Sequence, residues 1–67
     1  MVSNPEAKRW WSYIFVDEDD IEHEDTGSHF IGNDKEAEIE GKRRADIWET
    51  DNHHWCLKII RESHGVI

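Results

Sequence analysis

The densest apolar run lies between Arg9 and Asp17. There Trp10-Trp11-Ser12-Tyr13-Ile14-Phe15-Val16 crowds aromatic and β-branched residues into a stretch too short for a stable helix. It predicts a strand. Alternation puts Trp11, Tyr13 and Phe15 on one face and Trp10, Ile14 and Val16 on the other. Two apolar faces predict a strand that is central or covered on both sides. Thr26-Gly27-Ser28 is a turn signal, and His29-Phe30-Ile31 reads as a short second strand that stops at Gly32-Asn33-Asp34.

Residues 35–49 support two readings. The apolar residues Ala37, Ile39, Ala45 and Ile47 take odd positions, while Glu36, Glu38, Glu40, Lys42, Arg44 and Asp46 take even ones. Period two predicts a strand with one wet face, and this reading is preferred. The competing reading is a single helix in 35–45, capped by Asp34. Its acidic first turn (Glu36, Glu38) and basic last turn (Lys42 to Arg44) suit the helix dipole, although Gly41 would sit in its interior. Next, Ile47-Trp48-Glu49-Thr50 and the run from His54 to Arg61 flank a polar Asp51-Asn52-His53 tip, which predicts a hairpin. Trp55, Leu57 and Ile59 would face its core, with Cys56 and Lys58 on the other side. Residues 1–8 read as a loose polar arm, and the tail from Ser63 is expected to fray, with Val66 and Ile67 able to pack.

These elements predict one small domain over 1–67. Its fold class is β-rich (all-β or α+β): an antiparallel meander of about four strands, curled into a half-barrel or paired with a second chain. Size limits its stability, because a chain of 67 residues buries only about 60% of its unfolded surface. Small domains often add a disulfide, a metal or a subunit. Cys56 is the sole cysteine, which rules out an internal disulfide and favours a reducing compartment. No apolar run approaches the roughly 20 residues of a membrane span. No small-residue cleavage site follows Trp10–Val16. A cytoplasmic protein without membrane contact is expected, and a homodimer is a reasonable expectation.

Charge adds a partner class. The net charge of −8 comes from 16 acidic and 8 basic residues, and residues 17–40 hold eleven of the acids against Lys35 alone. A field of this sign attracts basic protein surfaces and repels nucleic acid and anionic membranes. Seven acids lie in 17–25 (Asp17, Glu18, Asp19, Asp20, Glu22, Glu24, Asp25), which predicts a solvated loop or wide hairpin connection. Their spacing does not fit a calcium loop, since no glycine follows until Gly27. On a strand, Glu36, Glu38 and Glu40 would form a row about 6.8 Å apart, roughly the spacing of neighbouring phosphates. Together the two groups predict an acidic protein-binding module: an inhibitor that mimics nucleic-acid charge against the basic surface of a nucleic-acid-handling enzyme.

Two alternatives come from other residues. Arg43 and Arg44 could hold a phosphate while Trp48 and Trp55 stack on a base, giving a nucleotide or cyclic-nucleotide binder, though no Gly-rich phosphate loop accompanies them. A structural subunit would instead bury Trp10–Val16 against a neighbour. The residues His23, His29, His53, His54, Cys56 and His64 show no CxxC or HxxxH spacing, so neither a metal site nor a cofactor is expected. Histidines beside so many carboxylates predict charge shifts between about pH 5 and 7. Cys56 and His54, two residues apart, lack an oxyanion hole and an orienting third group. No catalytic residue, and no enzyme, is expected.

Overall fold

The aromatic run forms β1 (Arg9–Asp17), and every other strand pairs with it. In the computed structural model, which describes residues 7–67, it is followed by β2 (Glu22–Glu24), β3 (Phe30–Gly32), α1 (Asp34–Asn52) and β4 (Cys56–Val66). All pairings are antiparallel. On one side of β1, β3 lies opposite Arg9–Trp11 and β2 opposite Ile14–Val16; β4 runs along the whole of the other side. The result is a small β-rich α+β fold with one sheet and one helix. The expected arm over 1–8 falls outside the described residues except for its last two positions, where the Lys8 carbonyl accepts from Ile67 N at 3.0 Å. The tail is therefore not frayed: it is the end of β4.

Residues 34–52 are helical, which corrects the preferred strand reading. The helix begins in a capping box, with Glu36 N donating to Asn33 Oδ1 (2.8 Å) and Asn33 N donating to Glu36 Oε1 (2.9 Å). Asn33, not Asp34, is the cap. Ala37, Gly41 and Ala45 recur every fourth residue and form the buried stripe. Such a stripe also satisfies period two, so the alternation misled. Gly41 is what lets the helix approach: a Cβ there would lie 2.9 Å from Tyr13 Cε1. Ile39 and Ile47, read as core, are exposed. The helix also runs past its expected basic last turn, so Lys42, Arg43 and Arg44 sit in its middle and pair with Glu38 and Glu40.

The hairpin expected at Asp51-Asn52-His53 is likewise absent, because α1 extends to Asn52 and His53 ends it in the left-handed region (φ 56°). A register shift near Leu57 then turns Leu57 out of the core, leaving it 70% exposed, and Trp55 is 71% exposed. Ile59 does reach the core as expected, while Cys56, expected on the opposite side, also packs against it.

The core lies between α1 and one face of the sheet. Trp11, Tyr13 and Phe15 pack there with Ala37 and Ala45, bordered by Phe30, Trp48, Cys56 and Ile59. Burying each large side chain contributes about 1.5–3 kcal/mol. Two buried donors fix the geometry: Tyr13 OH donates to the Ala37 carbonyl (2.7 Å) and Trp11 Nε1 to the Gly32 carbonyl (2.9 Å). Thus β1 is central, as expected, but the helix covers only one of its faces; on the other, Val16 alone is buried. No helix among the described residues is long and apolar enough to cross a membrane.

Candidate functional site

The uncovered face follows from the register. Residues directly opposite in an antiparallel pair share a face. Trp10 therefore stands with Ile31, Ser12 with Glu62, Ile14 with Glu24 and Ile60, and Val16 with Glu22 and Lys58. Trp10 (44%) and Ile31 (45%) are substantially exposed, and Ile14 and Ile60 are half-buried beside them. An apolar strip, interrupted at Ser12, thus runs along the sheet: Trp10 with Ile31, then Ile14 with Ile60, then the buried Val16. Glu22 and Glu24 border it on one side, Glu62 and Lys58 on the other.

At one end of the strip, His29 packs between Trp10 and His64, with ring centroids 6.5 and 4.9 Å away. His64 Nε2 meets Ser12 Oγ at 2.6 Å. A serine beside a histidine suggests a nucleophile and its base. Among the described residues, however, no carboxylate engages the other ring nitrogen, so no orienting third group completes the arrangement.

The acidic run is not one solvated loop. Asp17 ends β1 with its side chain 2% exposed, and it organises the turn: its Oδ1 accepts from Asp19 N (2.8 Å) and Ile21 N (3.0 Å), while Oδ2 meets His23 Nε2 at 2.7 Å. The His23 hydrogen bond, aided by the two amides, holds the Asp17 carboxyl below its usual range despite the cost of burial. Glu18 reaches the α1–β4 connection, where Oε1 pairs with His54 Nδ1 (2.5 Å) and Oε2 accepts from Trp55 N (2.6 Å). This contact lowers the Glu18 pKa and raises that of His54. Trp48 packs against both His23 (5.0 Å) and His54 (6.2 Å), and so joins the two pairs into one cluster. Asp17, Glu18 and His54 offer ligand atoms within 4.8 Å of one another. Backbone amides and histidines already occupy the four carboxylate oxygens.

The remaining predicted acids divide cleanly. Asp25 pairs with Arg44 (2.7 Å), Glu36 serves the helix cap, Glu38 faces Lys42 (3.7 Å), and Glu40 binds both Arg43 (2.6 Å) and Arg44 (2.7 Å). The Arg43 hydrogen bond leads in pushing the Glu40 carboxyl down to about 2. On a helix, Glu36, Glu38 and Glu40 point in different directions, so the phosphate-spaced row does not form. Among the described residues, Asp19, Asp20, Glu22 and Glu24 carry carboxylates that no donor meets.

The alternative ligand set is brought together only in part. Arg43, Arg44 and Trp48 line an open depression of about 390 Å³ with Asp25 and Asp51, whereas Trp55 lies beside a different one, with His53 and His54. Both guanidiniums already answer carboxylates. Cys56 and His54 do not form a pair: His54 turns to Glu18, Cys56 Sγ donates to the Lys58 carbonyl (3.3 Å), and burial pushes its thiol pKa up.

The chain matches no known protein family, no characterised protein and no solved structure. Its site therefore rests on its own geometry. Of the open face, sequence reasoning found Glu22 and Glu24 but missed Trp10, Ile31, Ile60, Glu62 and Ser12 as surface groups. One signal was present. Ser12 interrupts the Trp10–Ile14–Val16 face of β1, which marks that face as the wetter one.

Proposed function

We propose that this protein is an acidic protein-binding module that docks a basic protein surface on the open face of its sheet. The observation that carries this reading is an exposed apolar strip beside carboxylates that no donor among the described residues meets. Trp10, Ile14, Ile31 and Ile60 supply apolar area, and aromatic anchors of this kind dominate binding energy. Asp19, Asp20, Glu22 and Glu24 supply unneutralised charge, which steers a cationic partner and fixes its register. Glu22 and Glu24 stand two residues apart on one strand face, about 6.8 Å, so the phosphate-like spacing survives on β2. A nucleic-acid-handling enzyme presents a basic groove built for such charges, and the protein would inhibit it by occupying that groove.

Affinity capture with two baits tests the reading. Immobilised wild-type protein and a Trp10→Ala/Ile31→Ser variant are exposed to the same extract, and retained proteins are compared. A basic protein held by the wild type and lost from the variant is expected. Identical retention by both baits would remove the open face from the function.

A further inference from the structure

Among the described residues, β4 is the longest strand, and its outer edge is left unpaired. Among the described residues β4 pairs only with β1, so its other edge presents unpaired backbone donors and acceptors. The regular part of this edge is residues 58–63. A register shift near Leu57 bounds it on one side, and a second shift, where Gly65 takes φ 118°, bounds it on the other. We infer that a second copy of this chain adds antiparallel to this edge, about a two-fold axis through Ile60, and joins the two sheets into one.

Charge selects the occupant and the register. Lys58, Ile60 and Glu62 share the open face, and neither Lys58 nor Glu62 has an ion-pair partner within the described chain. With Ile60 opposite Ile60 of the partner subunit, Lys58 stands opposite the partner's Glu62, and Glu62 opposite the partner's Lys58. Opposite charges facing across strands stabilise a pair, and the two-fold supplies the contact twice. Registers centred on Lys58 or on Glu62 would instead set like charges face to face, which is destabilising. The partner's identity is thus written in the strand itself: an edge spaced this way complements its own copy.

The fold also explains why association would stop at two. The opposite edge of the sheet consists of two three-residue strands separated by residues 25–29. Arg44 ties that segment to the helix, through Asp25 Oδ2 (2.7 Å) and the Ser28 carbonyl (2.8 Å). Among the described residues no continuous second edge remains to propagate a filament. On the covered side, Glu38, Lys42, Ile59 and Arg61 line a groove of about 300 Å³ between α1 and the β4 edge, which the same groove of the second copy would close. The open face stays free in this arrangement and becomes twice as long, so dimer formation and partner docking stand or fall separately.

Sedimentation velocity of the full chain, over a range of concentrations, reads the outcome directly. The wild type is expected to sediment as a dimer. Lys58→Glu sets two acids opposite each other twice and is expected to give a monomer, with an unchanged far-UV spectrum. The swap Lys58→Glu/Glu62→Lys restores opposite charges and is expected to restore the dimer. Should Lys58→Glu not fold, Lys58→Gln serves in its place and must weaken the dimer. A wild type that stays monomeric at every concentration, a dimer indifferent to Lys58, or a swap that fails to restore association would each overturn the inference.

Discussion

At the scale of single residues, Gly41 and the His54–Glu18 pair carry consequences that composition would not suggest. Replacing a helix-interior glycine by alanine ordinarily stabilises by about 1 kcal/mol. At Gly41 the new methyl would lie 2.9 Å from a Tyr13 ring already anchored through its hydroxyl to Ala37 O. Gly41→Ala is therefore expected to lose about 1–3 kcal/mol in urea denaturation, and a gain would contradict the close approach of helix and sheet. The pair at the turn predicts a pH profile. His54 is raised above its ordinary 6.5 by the Glu18 hydrogen bond, so its stabilisation is complete below 6.5 and fades as pH climbs through the raised value. Glu18 is lowered below its ordinary 4.5, so its stabilisation is complete above 4.5 and fades as pH falls through the lowered value. The pair therefore contributes most between these two ordinary values. His54→Gln should flatten the alkaline limb of a plot of Tm against pH, and an unchanged limb would show that the pair contributes nothing.

At the scale of elements, the strand β1 was legible because seven consecutive positions agreed on one structure. The helix was not. Ala37, Gly41 and Ala45 satisfy periods of two and of four alike, so the apolar spacing alone does not decide between them; in the fold they form the stripe that Tyr13 packs against. Gly41 counted against a helix in isolation, yet it is the residue that allows this helix to pack. The Asn33–Glu36 capping box was present as a local pattern, and its cost is measurable. Asn33→Ala should destabilise by about 1 kcal/mol in chemical denaturation, since it leaves the Glu36 amide without its acceptor. A neutral result would mean that Asp34 can take over the cap. The acidic segment was legible as charge and opaque as structure. Sequence places its seven acids together, but which of them are spent on turns, histidines and Arg44 depends on contacts made across the fold.

At the scale of the molecule, one helix faces one long sheet, so a single layer covers one face and leaves most of the other open. The shape is correspondingly elongated, with extents of 42 × 18 × 16 Å. Net charge of −8 is spread over this form unevenly: most of the central acids hold the structure together, and among the described residues four near β2 meet no donor. Partner binding should therefore depend on Asp19, Asp20, Glu22 and Glu24 and leave the fold intact when they are neutralised. The most direct measurement is the affinity of the captured basic protein, by calorimetry across a series of salt concentrations, for the wild type and for Asp19→Asn/Asp20→Asn/Glu22→Gln/Glu24→Gln. The expected result is wild-type affinity that falls steeply with salt, and a folded variant that binds weakly with little salt dependence. Equal affinity and equal salt dependence in the two proteins would contradict an acidic docking face.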